Sequence, residues 1–101
     1  MKPVIVHPRA RAEWDSGMGF YEARVPGLGL DFHRQVERAI QKIRQHPQRW
    51  PLHSDARFRR YVLKRFPYSI FYMERANDIW IVAVAHAKRR PDYWTRRQGG
   101  R

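Results

Sequence analysis

Cysteine is absent from the 101-residue chain, which removes disulfide frameworks, thiol nucleophiles and thiolate metal sites together. Long apolar runs are missing too. No stretch nears the roughly 18 residues of a membrane span, and the opening MKPVIVHP carries too few apolar residues for a signal-peptide core. The chain therefore reads as cytoplasmic, with no membrane partner. Acidic residues are scarce, 9 Asp+Glu against 21 Lys+Arg, giving a net charge of +12 and a pI near 11.2. His7, His33, His46 and His53 are dispersed without metal-ligand spacing. No metal and no cofactor is expected, and no repeat or linker interrupts the chain.

What remains supports one domain over residues 1–101, with 95–101 set aside as a tail prone to disorder. The positive charge is uneven: twelve basic and four acidic residues follow Pro51. Clustered Arg and Lys suit a polyanionic or acidic macromolecule, whose phosphates or carboxylates they neutralise with release of counterions. A small-molecule substrate is not expected.

Three segments rich in Val, Ile, Phe, Tyr and Trp dominate the second half: RFRRYVLKR from Arg57, FPYSIFYME from Phe66 and DIWIVAVAH from Asp78. They read as an antiparallel meander, broken at Phe66-Pro67, where proline has no N–H for a ladder, and at Ala76-Asn77-Asp78. Ile79 to Ala85 is apolar on both alternating faces, as in a strand covered on both sides. Simple alternation puts His86 on the face of Trp80, Val82 and Val84.

Upstream, PVIV at residues 3–6 has strand length and can pair in parallel with the later sheet. Ala10, Trp14, Met18, Tyr21 and Val25 recur at helical steps after Pro8, with Gly17 and Gly19 predicting a bend or break. Pro26 to Gly29 reads as a tight turn. A second helix carries Phe32, Val36, Ala39, Ile40 and Ile43 on one face and stops at Pro47; Trp50 is expected to pin the following connector to the core. The order is β-α-α-β-β-β, an α+β fold in which an N-terminal helical hairpin packs on a small, mostly antiparallel sheet. The opposite sheet face is expected to be only partly covered and to serve as the working surface.

The run RFRRYVLKRFPYSIFYMERANDIWIVAVAHAKRRPDYWTRR, preceded by LGLDFHRQVERAIQKIRQHPQRWP, resembles the RelE/ParE family of bacterial type II toxin-antitoxin toxins over nearly the whole chain. Its most specific pieces are the Phe66-Pro67-Tyr68 hairpin, the strand Ile81 to His86, and Arg90-Pro91 before Tyr93-Trp94. The resemblance implies a toxin neutralised by a cognate antitoxin. It leaves two actions open, ParE-like binding to DNA gyrase or RelE-like cleavage of mRNA on the ribosome, and beside the resemblance the basic charge also fits a non-toxic nucleic-acid-binding module.

Metal-free RNA cleavage needs a base, an acid and positive charge around the phosphate. The candidates are His86, Tyr93, Arg60 and Arg65. Against them, Ser69 stands where the resemblance implies an arginine, and no acid lies between Arg38 and Ser54, where it implies a glutamate base. His86 at a strand end also has a structural reading. The ParE-like, non-catalytic reading is therefore preferred, with Arg57, Arg59, Arg60, Lys64 and Arg65 on the meander, and Arg89, Arg90, Tyr93 and Trp94 beyond it, as the residues that meet the target or partner. Strand parity divides the meander cluster, so not all of it can serve one site.

Overall fold

The computed structural model describes residues 1–99. Its elements are β1 (Val4–Val6), α1 (Pro8–Arg24), α2 (Leu28–Gln45), β2 (Arg59–Val62), β3 (Tyr68–Glu74) and β4 (Ile79–His86), in the expected order. The sheet runs β1-β4-β3-β2; β1 is parallel to β4 and the other pairs are antiparallel. The α+β hairpin-on-sheet architecture is thus present.

Pro8 sits in the first turn of α1, and the His7 side chain accepts from the Arg9 amide, capping the helix. The helix is continuous through Gly17 and Gly19, where propensity alone predicts a bend or break. Gly17 instead marks a close approach: a Cβ there would stand 2.6 Å from the Phe32 ring. Around Gly19 the space is open. The two glycines should therefore respond with opposite sign. Gly17→Val is expected to lower the stability measured by urea unfolding by about 1–3 kcal/mol through overpacking, whereas Gly19→Ala raises it by about 0.5–1 kcal/mol through helix propensity and a less free unfolded chain.

The turn is shorter than Pro26 to Gly29, because α2 starts at Leu28. Gly27 takes a φ of 89°, a left-handed conformation that glycine adopts without strain. The Glu22 carboxylate accepts from the Gly27 and Gly29 amides, placing negative charge on donors that the start of α2 leaves unpaired.

Two apolar layers flank the sheet. The helical stripes of Trp14, Phe32, Val36 and Ile43 bury against Ile70, Tyr72, Ile79 and Ile81, with Trp50 packed at the margin beside Tyr61 at 4.9 Å. The opposite face, expected to be open in part, is covered. Phe58 from the connector and Trp94 from the C-terminal segment close over Phe71, Trp80, Val82, Ala83 and Ala85. The apolar residues of that face need a lid, and the aromatic pair supplies it.

Candidate functional site

A register shift opposite Phe71 and Tyr72 shapes the end of β4: Ala83 faces Phe71 and Ile81 faces Tyr72, leaving Val82 without a cross-strand partner. Such a bulge inserts one residue and reverses the alternation beyond it. Val82 and Ala83 consequently both face the Trp94 layer, while Val84 turns to the helices. His86 follows the reversed pattern, its ring edge-on to Tyr68 at 5.0 Å, so it does not share the face of Trp80 and Val82.

The outer edge of β4 has its own closure. β1 ends its pairing at Val6 and Ile81. Beyond that point side chains replace the missing strand: Arg97 donates to the Val82 carbonyl at 2.9 Å and Glu13 accepts from the Val84 amide at 3.0 Å. Arg97 and Glu13 pair at 2.8 Å with side chains only 10% and 13% exposed. The Tyr93 hydroxyl donates to the same carboxylate at 2.5 Å. Burial, reinforced by that bond to Glu13, drives the phenol pKa well above its ordinary value.

Next to this clasp a cavity of about 210 Å³ opens between β2, the end of β4 and the C-terminal segment, with Arg60, Ser69, His86, Arg89 and Arg90 on its walls. Arg60 lies opposite Phe71 in the sheet register, and its Nε donates to Ser69 at 3.3 Å. His86 Nδ1 accepts from the Lys88 amide at 3.0 Å, which places the proton of the neutral ring on Nε2. Arg89 lies over the Tyr93 ring at 3.9 Å. On the far wall His53 contacts Asp92 at 2.6 Å and packs its ring against Phe71 and Trp94. Among the described residues no group of three or more His, Asp or Glu is placed to hold a metal ion.

The candidate residues are thus only partly gathered. Arg60, His86, Arg89, Arg90 and Tyr93 line this cavity. Arg65 lies away from it, 3.4 Å from Asp31 of α2. Arg57 is paired with Asp55 at 2.6 Å, and that bond holds the Asp55 carboxyl down at about 2. Arg59 donates to the Trp50 carbonyl at 2.7 Å. Lys64 is exposed. Trp94, expected at the partner surface, is 1% exposed and stacked on Phe71 at 4.3 Å, because its indole completes the second apolar layer. Of the segment set aside as a tail, Thr95 bonds back to Asp92 and Arg97 forms the clasp, while residues 100 and 101 lie outside the described region.

Three participants are not singled out by the sequence reading: Glu13, His53 and Asp92. For Glu13 a signal exists, since Ala10, Glu13 and Gly17 stand at i, i+3 and i+7, and a carboxylate on a sheet-facing helical register calls for a buried cation.

Known proteins share this architecture. Residues 4–91 match the model of a family described as the ParE toxin of the type II toxin-antitoxin system parDE. No curated protein matches. Among solved structures, a chain of the chromosomal ParDE toxin-antitoxin system from P. aeruginosa superposes with a TM-score of 0.77 at 16% identity, over 87% of this chain and 98% of that one. At that identity the likeness concerns the fold. Tyr93, Trp94 and Arg97, which form the lid and part of the clasp, follow the residues that the family model matches.

Proposed function

The chain belongs to the ParE toxin family of type II toxin-antitoxin systems, and from that premise we propose that it arrests growth by binding DNA gyrase in the cytoplasm until a cognate antitoxin neutralises it. Residues 1–101 act as one toxin domain. The observation that carries the non-catalytic choice is the commitment of Tyr93: its hydroxyl is bonded to Glu13 inside the clasp, with its pKa raised. An acid so held does not offer its proton to a leaving group in the cavity. Arg65 is turned toward α2, so two of the four residues a nuclease would need are engaged elsewhere. The surface instead presents cations. Arg60, Lys64, Arg89 and Arg90 make no ion pair among the described residues, and they are suited to meet negative charge on the target.

One observation favours the alternative of a ribosome-dependent mRNA endonuclease: His86 and Arg60 line the same cavity. A gyrase supercoiling assay with the purified chain separates the two. Inhibition at near-stoichiometric toxin, unchanged in His86→Ala, is the expected result. Absence of inhibition together with ribosome-dependent mRNA cleavage that His86→Ala abolishes would transfer the chain to the nuclease reading.

A further inference from the structure

The cavity beside His86 has a neighbour. A second hollow, about 440 Å³, lies between Arg9, Arg89 and Arg96, and the two share Arg89 and Tyr93 as their dividing wall. We infer that the cationic band running from Arg60 through Arg89 and Arg90 to Arg96 and Arg9 seats successive phosphates of duplex DNA. This deepens the gyrase reading, whose enzyme acts on duplex DNA, and rests on it for the choice of DNA over RNA.

Positive charge predominates along the band, its five arginines against the one carboxylate of Asp92 among the described residues that line the two hollows. None of its five arginines makes an ion pair among the described residues. Asp92 lies on the wall of the first hollow and contacts His53, and Glu13 is held by Arg97 and Tyr93. His7, on the wall of the second hollow, has its pKa lowered by burial first, with smaller contributions from the charges of Arg97 and Arg9. Two of the arginines are also held in place, Arg89 over the Tyr93 ring and Arg60 by Ser69. A guanidinium fixed in this way loses little further freedom when its planar fork meets a phosphate.

The form of the ligand follows from what the band lacks. Recognition of single strands depends on aromatic rings on which bases stack. Here Trp94 and Trp80 are buried, the Tyr93 ring lies under Arg89 with its hydroxyl on Glu13, and the histidine rings on the walls are already packed on other rings, His53 on Phe71 and Trp94, His86 on Tyr68 and His7 on Trp80. Backbone binding to a duplex needs no such platform. Protein interfaces are anchored by apolar and aromatic side chains at their centre, yet the exposed large hydrophobics, among them Phe20, Val25, Leu30, Leu52 and Val62, fall outside the walls of both hollows. The band therefore fits a phosphodiester backbone better than an acidic polypeptide.

Fluorescence anisotropy of the full chain with a labelled duplex of arbitrary sequence, in the absence of gyrase, tests the assignment. Affinity should fall steeply with salt. The triple substitution Arg60→Ala, Arg89→Ala, Arg90→Ala should weaken binding at least ~10-fold at low salt and flatten the log–log salt slope by about 2–3, at roughly 0.9 for each phosphate no longer neutralised. A charge-matched control on other exposed arginines, Arg34→Ala, Arg38→Ala, Arg49→Ala, should change affinity less than about threefold, since unlocalised charge contributes only through the screened general field. An equal loss in the control, tighter binding of a single strand than of the duplex, or displacement of the duplex by polyglutamate at matched charge would each overturn the inference. Because gyrase is not in the assay, failure here leaves the gyrase reading standing, and failure of supercoiling inhibition leaves the DNA measurement standing.

Discussion

Glu13→Ala is expected to melt more than ~10 °C below the parent chain, the loss of about 3–5 kcal/mol that follows when one member of a buried ion pair is removed and about 4–8 °C accompanies each kcal/mol in a domain of this size. The reason is the number of groups that meet on one carboxylate. Without it the Arg97 guanidinium, 10% exposed, keeps the Val82 carbonyl but loses its counter-charge. The Val84 amide and the Tyr93 hydroxyl lose their acceptor at the same time. A thermal melt of the double variant Glu13→Leu with Arg97→Met gives the diagnostic comparison, since removing both charges should cost less than stranding one. The exposed pair Arg11 and Asp15 supplies the contrast: both side chains are about half exposed, and Asp15→Asn should cost less than about 1 kcal/mol. Similar melting temperatures for Glu13→Ala and Asp15→Asn would mean that water reaches the clasp and that the edge of β4 does not depend on it.

The parts of the fold that are legible in the sequence are those written as periodicity. Trp14 and Phe32 stand in helical stripes and both are buried; Ile79 to Ala85 is apolar on both parities and is buried throughout. Even the parallel pairing of β1 can be anticipated, because a short apolar run ended by His7-Pro8 has few other places in a sheet this small. The candidate site is less legible, for physical reasons that differ from residue to residue. Alternation places His86 on the face of Trp80, but a single inserted residue at Val82 reverses the face of everything after it, and nothing in IWIVAVAH marks which residue bulges. The apolar second face of β4 calls for a cover without saying what supplies it. Trp94 reads as a surface group because it stands among arginines, and its neighbours in sequence say nothing of Phe71, on which it stacks. Gly17 looks like a flaw in a helix because helix propensity is local, whereas the reason for glycine there is the Phe32 ring of another element. Each miss concerns a pairing between residues far apart in the chain, where a local pattern holds no record of the partner.

Trp94→Ala should expose how far the cationic band depends on that cover. The indole is stacked on Phe71 at 4.3 Å and meets Phe58 edge-on at 4.9 Å, and it is the large side chain that the C-terminal segment buries in the second apolar layer. Truncation of a large buried aromatic costs about 3–5 kcal/mol, a large share of the total for a chain with stability of order 5–15 kcal/mol. Loss of the indole also frees the segment that positions its neighbours. Asp92 is held to His53, Tyr93 to Glu13 and Arg89 over Tyr93, so the cavity wall on that side is attached through the same short stretch. Urea unfolding should therefore show the lowered midpoint, and binding of a hydrophobic dye under native conditions should rise as Phe58, Phe71 and Trp80 lose their lid. Trp94→Phe, which retains an aromatic face for Phe71, should recover more than half of the midpoint shift while leaving a smaller void. If the segment merely rests on the sheet, the midpoint of Trp94→Ala stays within error of the parent and the dye does not bind. That result would detach residues 91–97 from the fold, and with them the rigid placement of Arg89 on which the two hollows depend.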